Sequence, residues 1–83
     1  MKTTRYFEEQ VLRKRSYLKV EWIEAALADP LARIVQPDGR IRIWYRVELA
    51  ETGKSYIMRF ITLEDGKTVH NAFFDRDFQE AES

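Results

Sequence analysis

The chain contains no cysteine. That excludes a disulfide staple, a thiolate zinc site and a cysteine nucleophile. It contains one histidine, His70, which excludes a multi-histidine metal site. Only three glycines and two prolines are present, and no glycine-rich phosphate loop is among them. No nucleophile elbow and no acid cluster with metal spacing is visible. No cofactor and no bound metal are therefore expected. No apolar run approaches ~20 residues, so no membrane span is expected. Residues 1–6 carry no apolar h-region, and the expectation is a cytoplasmic protein without a secretion signal.

What is present is ordinary for a folded chain of 83 residues: 45% hydrophobic, 13% aromatic and 34% charged. That is enough for one core, and residues 1–83 read as a single domain. Formal net charge is zero, which argues against a generic polyanion binder. The charge is uneven, however. Residues 1–20 and 31–60 are net basic, whereas 21–30 and 61–83 are net acidic. Any basic surface must be local.

The N-terminal part has helical periodicity. Thr3 or Thr4 can cap a first helix, with Glu8 and Glu9 in its early turns. Phe7 and Val11, with Leu12 beside them, form an apolar stripe. Arg13, Lys14 and Arg15 end it. A second helix is predicted over Val20–Ala28, stopped by Asp29-Pro30.

From residue 32 the period changes to two. Arg33–Gln36 reads as a short strand, and Pro37-Asp38-Gly39 as a turn. Ile41, Ile43, Tyr45, Val47 and Leu49 alternate with polar residues, as a half-buried strand requires. Tyr56–Leu63 is apolar on both faces except at Arg59 and reads as a central strand. Asp65-Gly66 centres a hairpin turn, and Thr68–Phe74 is the last strand. The polar tail from Asp75 to Ser83 is expected to fray or dock weakly. The predicted fold is α+β: two N-terminal helices packed on one face of a four-stranded, mostly antiparallel sheet (ααββββ).

With two-residue turns in both later hairpins, Arg46 faces Arg59, Trp44 faces Ile61, and Ile61 faces His70. Arg59 faces Ala72. One face then collects Ile41, Ile43, Tyr45, Val47, Tyr56, Met58, Phe60, Val69 and Phe73, a core for the helices to cover. The other collects Arg42, Trp44, Arg46, Glu48, Ile57, Arg59, Ile61, His70, Ala72 and Phe74. A four-residue second turn preserves the alternation, whereas an odd loop or a bulge breaks it.

An open sheet face with three arginines, an indole and a histidine suits single-stranded RNA. Cleavage through the 2′-hydroxyl needs an acid, a base and positive charge on the phosphate, but no metal. On this reading His70 and Arg59 are catalytic, Arg42 and Arg46 hold phosphate, and Trp44 stacks a base. The bland reading makes the same arginines a solvated sheet face. A charge in a central strand needs a partner, and Glu48, Asp75 and Asp77 are the candidates for Arg59. Phe74 and Phe78 can cover the open face, bind a partner or form a homodimer contact.

Several segments together carry a resemblance: the Phe7–Arg15 helix, the Val20–Leu27 helix ending at Asp29-Pro30, the Asp38-Gly39-Arg40 turn, and the closing Thr68–Phe73 strand. Their layout resembles the small RelE-like toxins of the barnase–EndoU–colicin–RelE fold. More narrowly it is similar to the DUF4258 family, and more distantly to BrnT-type toxins. The resemblance implies an RNA-cleaving toxin or an inactive relative, paired with a small antitoxin protein. In the DUF4258 pattern a first-helix histidine precedes an arginine. This chain has Phe7 at the histidine position and Val11 near an intermediate arginine, and Arg15 alone matches. Arg15 thereby joins Arg42, Arg46 and Trp44 as an expected RNA contact.

The expectation is a small RelE-like protein acting on RNA as a metal-independent endoribonuclease. Two alternatives stay open: a non-catalytic protein-interaction module or homodimer of the same fold, and a regulator binding an anionic metabolite between Arg46 and Arg59.

Overall fold

The computed structural model describes residues 2–76. Strand β1 (Lys2–Thr3) leads into a π-helical turn (Phe7–Leu12), helix α1 (Val20–Ala28), and strands β2 (Ala32–Val35), β3 (Ile41–Leu49), β4 (Lys54–Thr62) and β5 (Thr68–Phe74). The strands form one sheet in the order β1-β5-β4-β3-β2. β1 runs parallel to β5, and every other pair is antiparallel.

This corrects the expected ααββββ fold in two places. The first is the fifth strand. Lys2 and Thr3 pair with Thr68 and Val69, and the Thr4 N–H donates to the Val69 carbonyl at 3.0 Å. Two residues are too few to show a period-two pattern, so β1 left no signal. What recruits it is the edge of β5, whose backbone groups would otherwise be unpaired.

The second correction is the first helix. Its ends make ordinary i→i−4 bonds, from the Glu8 N–H to Thr4 O at 3.2 Å and from the Arg15 N–H to Val11 O at 2.8 Å. Between them the turn widens to π geometry. Phe7 and Val11 are both buried on it, so the i, i+4 apolar spacing is met. That spacing does not separate a widened turn from a regular helix. Thr4 caps the segment as expected, its Oγ1 accepting from the Phe7 N–H at 3.1 Å. α1 is the one regular helix among the described residues. Ile23 and Ala26 are its buried positions, and the Asp29 N–H closes it on Ala25 O at 2.9 Å, just before Pro30.

The core lies between these helical elements and one face of the sheet. Phe7, Val11, Leu18, Ile23 and Ala26 pack against Ile41, Ile43, Val47, Met58, Phe60, Val69 and Ala72. Burying side chains of this size contributes about 1.5–3 kcal/mol each for the larger members.

Register decides what the other face carries. The β3–β4 loop holds four residues rather than two, because Leu49 pairs with Lys54. Arg46 therefore faces Ile57, Trp44 faces Arg59, and Arg42 faces Ile61. The expected pairing of Arg46 with Arg59 is absent. Alternation on β3 and β4 is unaffected, because the loop length is still even.

β5 differs. Thr62 pairs with Val69, but Ile61, expected to face His70, pairs with Asn71. His70 is the extra residue of a bulge. Beyond it the faces of β5 exchange relative to simple alternation. Phe73, expected in the core, lies opposite Arg59 on the outer face. Ala72, expected outside, is fully buried, and Phe74 packs against the core. Phe74 stacks on Tyr17, with ring centroids 5.1 Å apart.

Candidate functional site

The outer face brings Trp44, Arg59, Phe73 and Asp75 together. Trp44 sits on β3 between Ala32 of β2 and Arg59 of β4. It is only 5% exposed, although the pattern placed it on the open face. Its Nε1 donates to Asp75 Oδ2 at 2.9 Å. Asp75 is fixed in turn, because its backbone N–H donates to Ile57 O at 2.8 Å. The same Oδ2 lies 3.7 Å from Arg59 Nε. The Arg59 guanidinium stands 4.4 Å from the centroid of the Phe73 ring, a cation–π distance. Arg59 Nε is buried and makes no hydrogen bond among the described residues. The arginine that interrupts the central strand is thus held by a carboxylate and an aromatic face. Asp75 was among its three predicted partners, and Asp77 and Phe78 lie outside the described residues.

His70 belongs to a different group. Its Nδ1 is 2.9 Å from Thr4 Oγ1, the oxygen that also accepts from the Phe7 N–H. Its ring stacks on Tyr6, with centroids 4.9 Å apart at 28°. Partial burial, and then the positive field of Arg40, lower its pKa below the ordinary 6.5. The neutral imidazole is therefore favoured in the fold. Thr4 and Tyr6 reach His70 because β1 docks beside β5 and the bulge lifts His70 out of the β4 register. Arg59 and His70, expected to be catalytic together, are not brought together. Phe73 stands opposite Arg59, and no hydrogen bond or ring contact joins Arg59 to His70 among the described residues.

The remaining predicted contacts are scattered. Arg42 is half-buried on β3. With its amide oxygen turned toward Arg42, Gln36 accepts from Nε and Nη2 at 3.2 and 3.1 Å. Arg46 is exposed and borders a shallow depression with Asp29, Pro30, Leu31 and Tyr45. Arg15 is half-buried where the first helical segment ends, and its carbonyl accepts from the Leu18 N–H at 3.0 Å. Arg15 is on the helical layer, whereas Arg42, Arg46 and Arg59 are on the far face of the sheet.

A feature the sequence reading did not single out is the outer edge of the sheet. Among the described residues β2 pairs only with β3 and ends the strand order. Ile34 is 55% and Val35 58% exposed, the highest values among the large apolar residues described. Arg33 between Ala32 and Ile34 is exposed too. The signal was a four-residue apolar-rich strand bounded by Pro30 and Pro37. Prolines bounding a short strand are common where a sheet ends.

Among the described residues no group of three His, Cys, Asp or Glu side chains is placed to hold a metal. No helix among them is long and apolar enough to cross a membrane. Comparison with protein-family models, with curated proteins and with solved structures finds no match to this chain.

Proposed function

We propose that this protein is a non-catalytic interaction module whose contact element is the open edge strand β2. The observation that carries the reading is the exposure of Ile34 and Val35 on a strand that, among the described residues, has a partner on one side only. Uncovered edge strands invite another strand, and proteins that do not use them usually guard them with charge, bulges or covering elements. β2 places one charge, Arg33, on four residues.

The side chains offered for RNA chemistry support this reading by what they do instead. Trp44 and Arg59 converge on Asp75. His70 is engaged by Thr4 and Tyr6. A ribonuclease of the RelE-like kind would need proton transfer and phosphate binding at one point, and these residues supply them at separate points.

Induced expression of wild type beside a His70→Ala/Arg59→Ala variant, followed by total RNA on a gel, tests the proposal. Normal growth and intact RNA are expected for both. A tagged wild-type chain is also expected to retain a partner that the Ile34→Lys chain loses. Growth arrest with RNA fragments in the wild type alone would overturn the reading and restore the endoribonuclease.

A further inference from the structure

We infer that the occupant of the β2 edge is the β2 strand of a second copy of this chain, paired antiparallel about a two-fold axis through Ile34. The inference rests on the proposed interaction role and specifies its partner and register.

The backbone fixes which groups are available. The Gln36 N–H donates to Arg40 O at 2.7 Å, in register with the β2–β3 ladder. Hydrogen-bonded and non-bonded pairs alternate in an antiparallel ladder. Ile34–Arg42 and Ala32–Trp44 are therefore the pairs turned toward β3. The N–H and C=O groups of Arg33 and Val35 point away from β3, to the outer edge.

Symmetry then limits the registers. A two-fold axis normal to the sheet keeps each face on its own side, so it must pass through a residue rather than between two. Centring on Arg33 sets Arg33 against its own copy, and like charges directly opposite are destabilising. Centring on Val35 sets Arg33 opposite Pro37 of the partner subunit, which has no N–H to give. Centring on Ala32 calls on the Leu31 N–H, which already donates to Trp44 O at 2.8 Å.

Centring on Ile34 meets none of these obstacles. Arg33 pairs with the partner's Val35, and Val35 with the partner's Arg33. The outward N–H and C=O groups of the two residues then make four hydrogen bonds across the axis. Ile34 meets its own copy at the centre, as a non-bonded pair with side chains in contact. The formal net charge of zero leaves no overall repulsion between copies. The two five-stranded sheets would join into one.

The cysteine-free chain gives a direct test by single-cysteine trapping. In a non-bonded antiparallel pair the Cα atoms are about 4.5 Å apart, within the span a disulfide accepts. Under mild oxidation Ile34→Cys is expected to trap a dimer. Arg33→Cys alone and Val35→Cys alone are expected to stay monomeric, because each is displaced from its own copy along the strand. An equimolar mixture of those two chains is expected to cross-link. Light scattering of wild type at rising concentration is expected to show a shift toward dimer mass, lost in Ile34→Lys, with an unchanged circular dichroism spectrum. Ile34 is exposed, so that substitution leaves the core intact.

Trapping of Ile34→Cys no greater than of Val35→Cys would overturn the inference. A different protein found paired at β2, with wild type monomeric throughout, would overturn the second copy while leaving the interaction role standing. A trapped dimer that cleaves RNA would do the opposite, sustaining the dimer and removing the non-catalytic reading.

Discussion

Trp44 and Asp75 are joined by a hydrogen bond of 2.9 Å from indole Nε1 to carboxylate Oδ2. The bond spans β3 and the residue that follows β5, across the intervening strand β4, and Arg59 on β4 approaches the same oxygen. A side chain expected to meet a nucleic-acid base is thus part of the packing that holds the C-terminal end of β5 to the sheet.

Removing that carboxylate should therefore cost stability. Asp75→Ala is expected to lower the unfolding free energy by about 1–3 kcal/mol, the usual cost of leaving buried polar groups without their acceptor. Asp75→Asn should cost less, because its amide oxygen still accepts from Trp44. Urea denaturation of the three chains checks the order. Equal stability of Asp75→Ala and wild type would remove the structural role assigned to the cluster.

The His70 pKa should lie below its ordinary 6.5, because burial and Arg40 disfavour the imidazolium. Below about pH 6.5 the unfolded chain then binds more protons than the folded one, so stability falls as pH falls through the folded value. The full contribution is present above 6.5. As the chain's one histidine, His70 can be followed by proton NMR without assignment. His70→Asn is expected to flatten the stability profile in that window. A folded-state pKa above 6.5 would contradict the burial of His70 and its proximity to Arg40.

Asp65 should respond at lower pH. The Thr68 hydroxyl, then the Thr68 N–H and the Lys67 N–H, lower its carboxyl from 3.8 to about 2. Its contribution is present above about pH 4 and is lost as pH falls through about 2. Carboxyl carbon NMR is expected to show this titration. Thr68→Val should move it upward, since the hydroxyl bond is the largest cause. An unmoved titration in Thr68→Val would mean that the turn is held by the backbone bonds alone.

Two turn glycines allow strain and crowding to be separated. Gly53 has φ +68° and open space where a Cβ would stand, whereas Gly39 has φ +91° and Glu64 Cγ 2.8 Å from that position. Gly53→Ala is expected to cost about 1–2 kcal/mol for the left-handed backbone alone. Gly39→Ala should cost more. Adding Glu64→Ala should recover the crowding part and leave the backbone part, as read by thermal melts of the single and double variants.

The parts of this fold legible in the sequence are those whose signal is local. The bounds of α1 followed from its periodicity and Asp29-Pro30, and the inward face of β3 from strict alternation over Ile41–Leu49. The missed parts depend on what a segment meets. β1 is a strand because β5 has an edge for Lys2 and Thr3 to join. The bulge at His70 carries no residue signature, and it exchanged Phe73 with Phe74. The site reading failed to unite its residues for that same reason. Arg59 needed a partner, as a lone charge in an apolar strand implies, and Asp75 supplied one. His70 was assigned to Arg59 through a register that the bulge breaks.

The parallel contact of β1 with β5 also bears on the order of assembly. β2 through β5 follow one another through short turns, so their pairing closes small loops. Thr4 and His70 are 66 residues apart, and β1 has nothing to join until β5 is in place. Closing so long a loop costs chain entropy that only two strand residues and the neighbouring Thr4 bonds offset directly. The N-terminal edge should thus be the last part of the sheet to form and the first to open. Hydrogen exchange at the Thr4 amide should then be faster than at the central amides of β3 and β4.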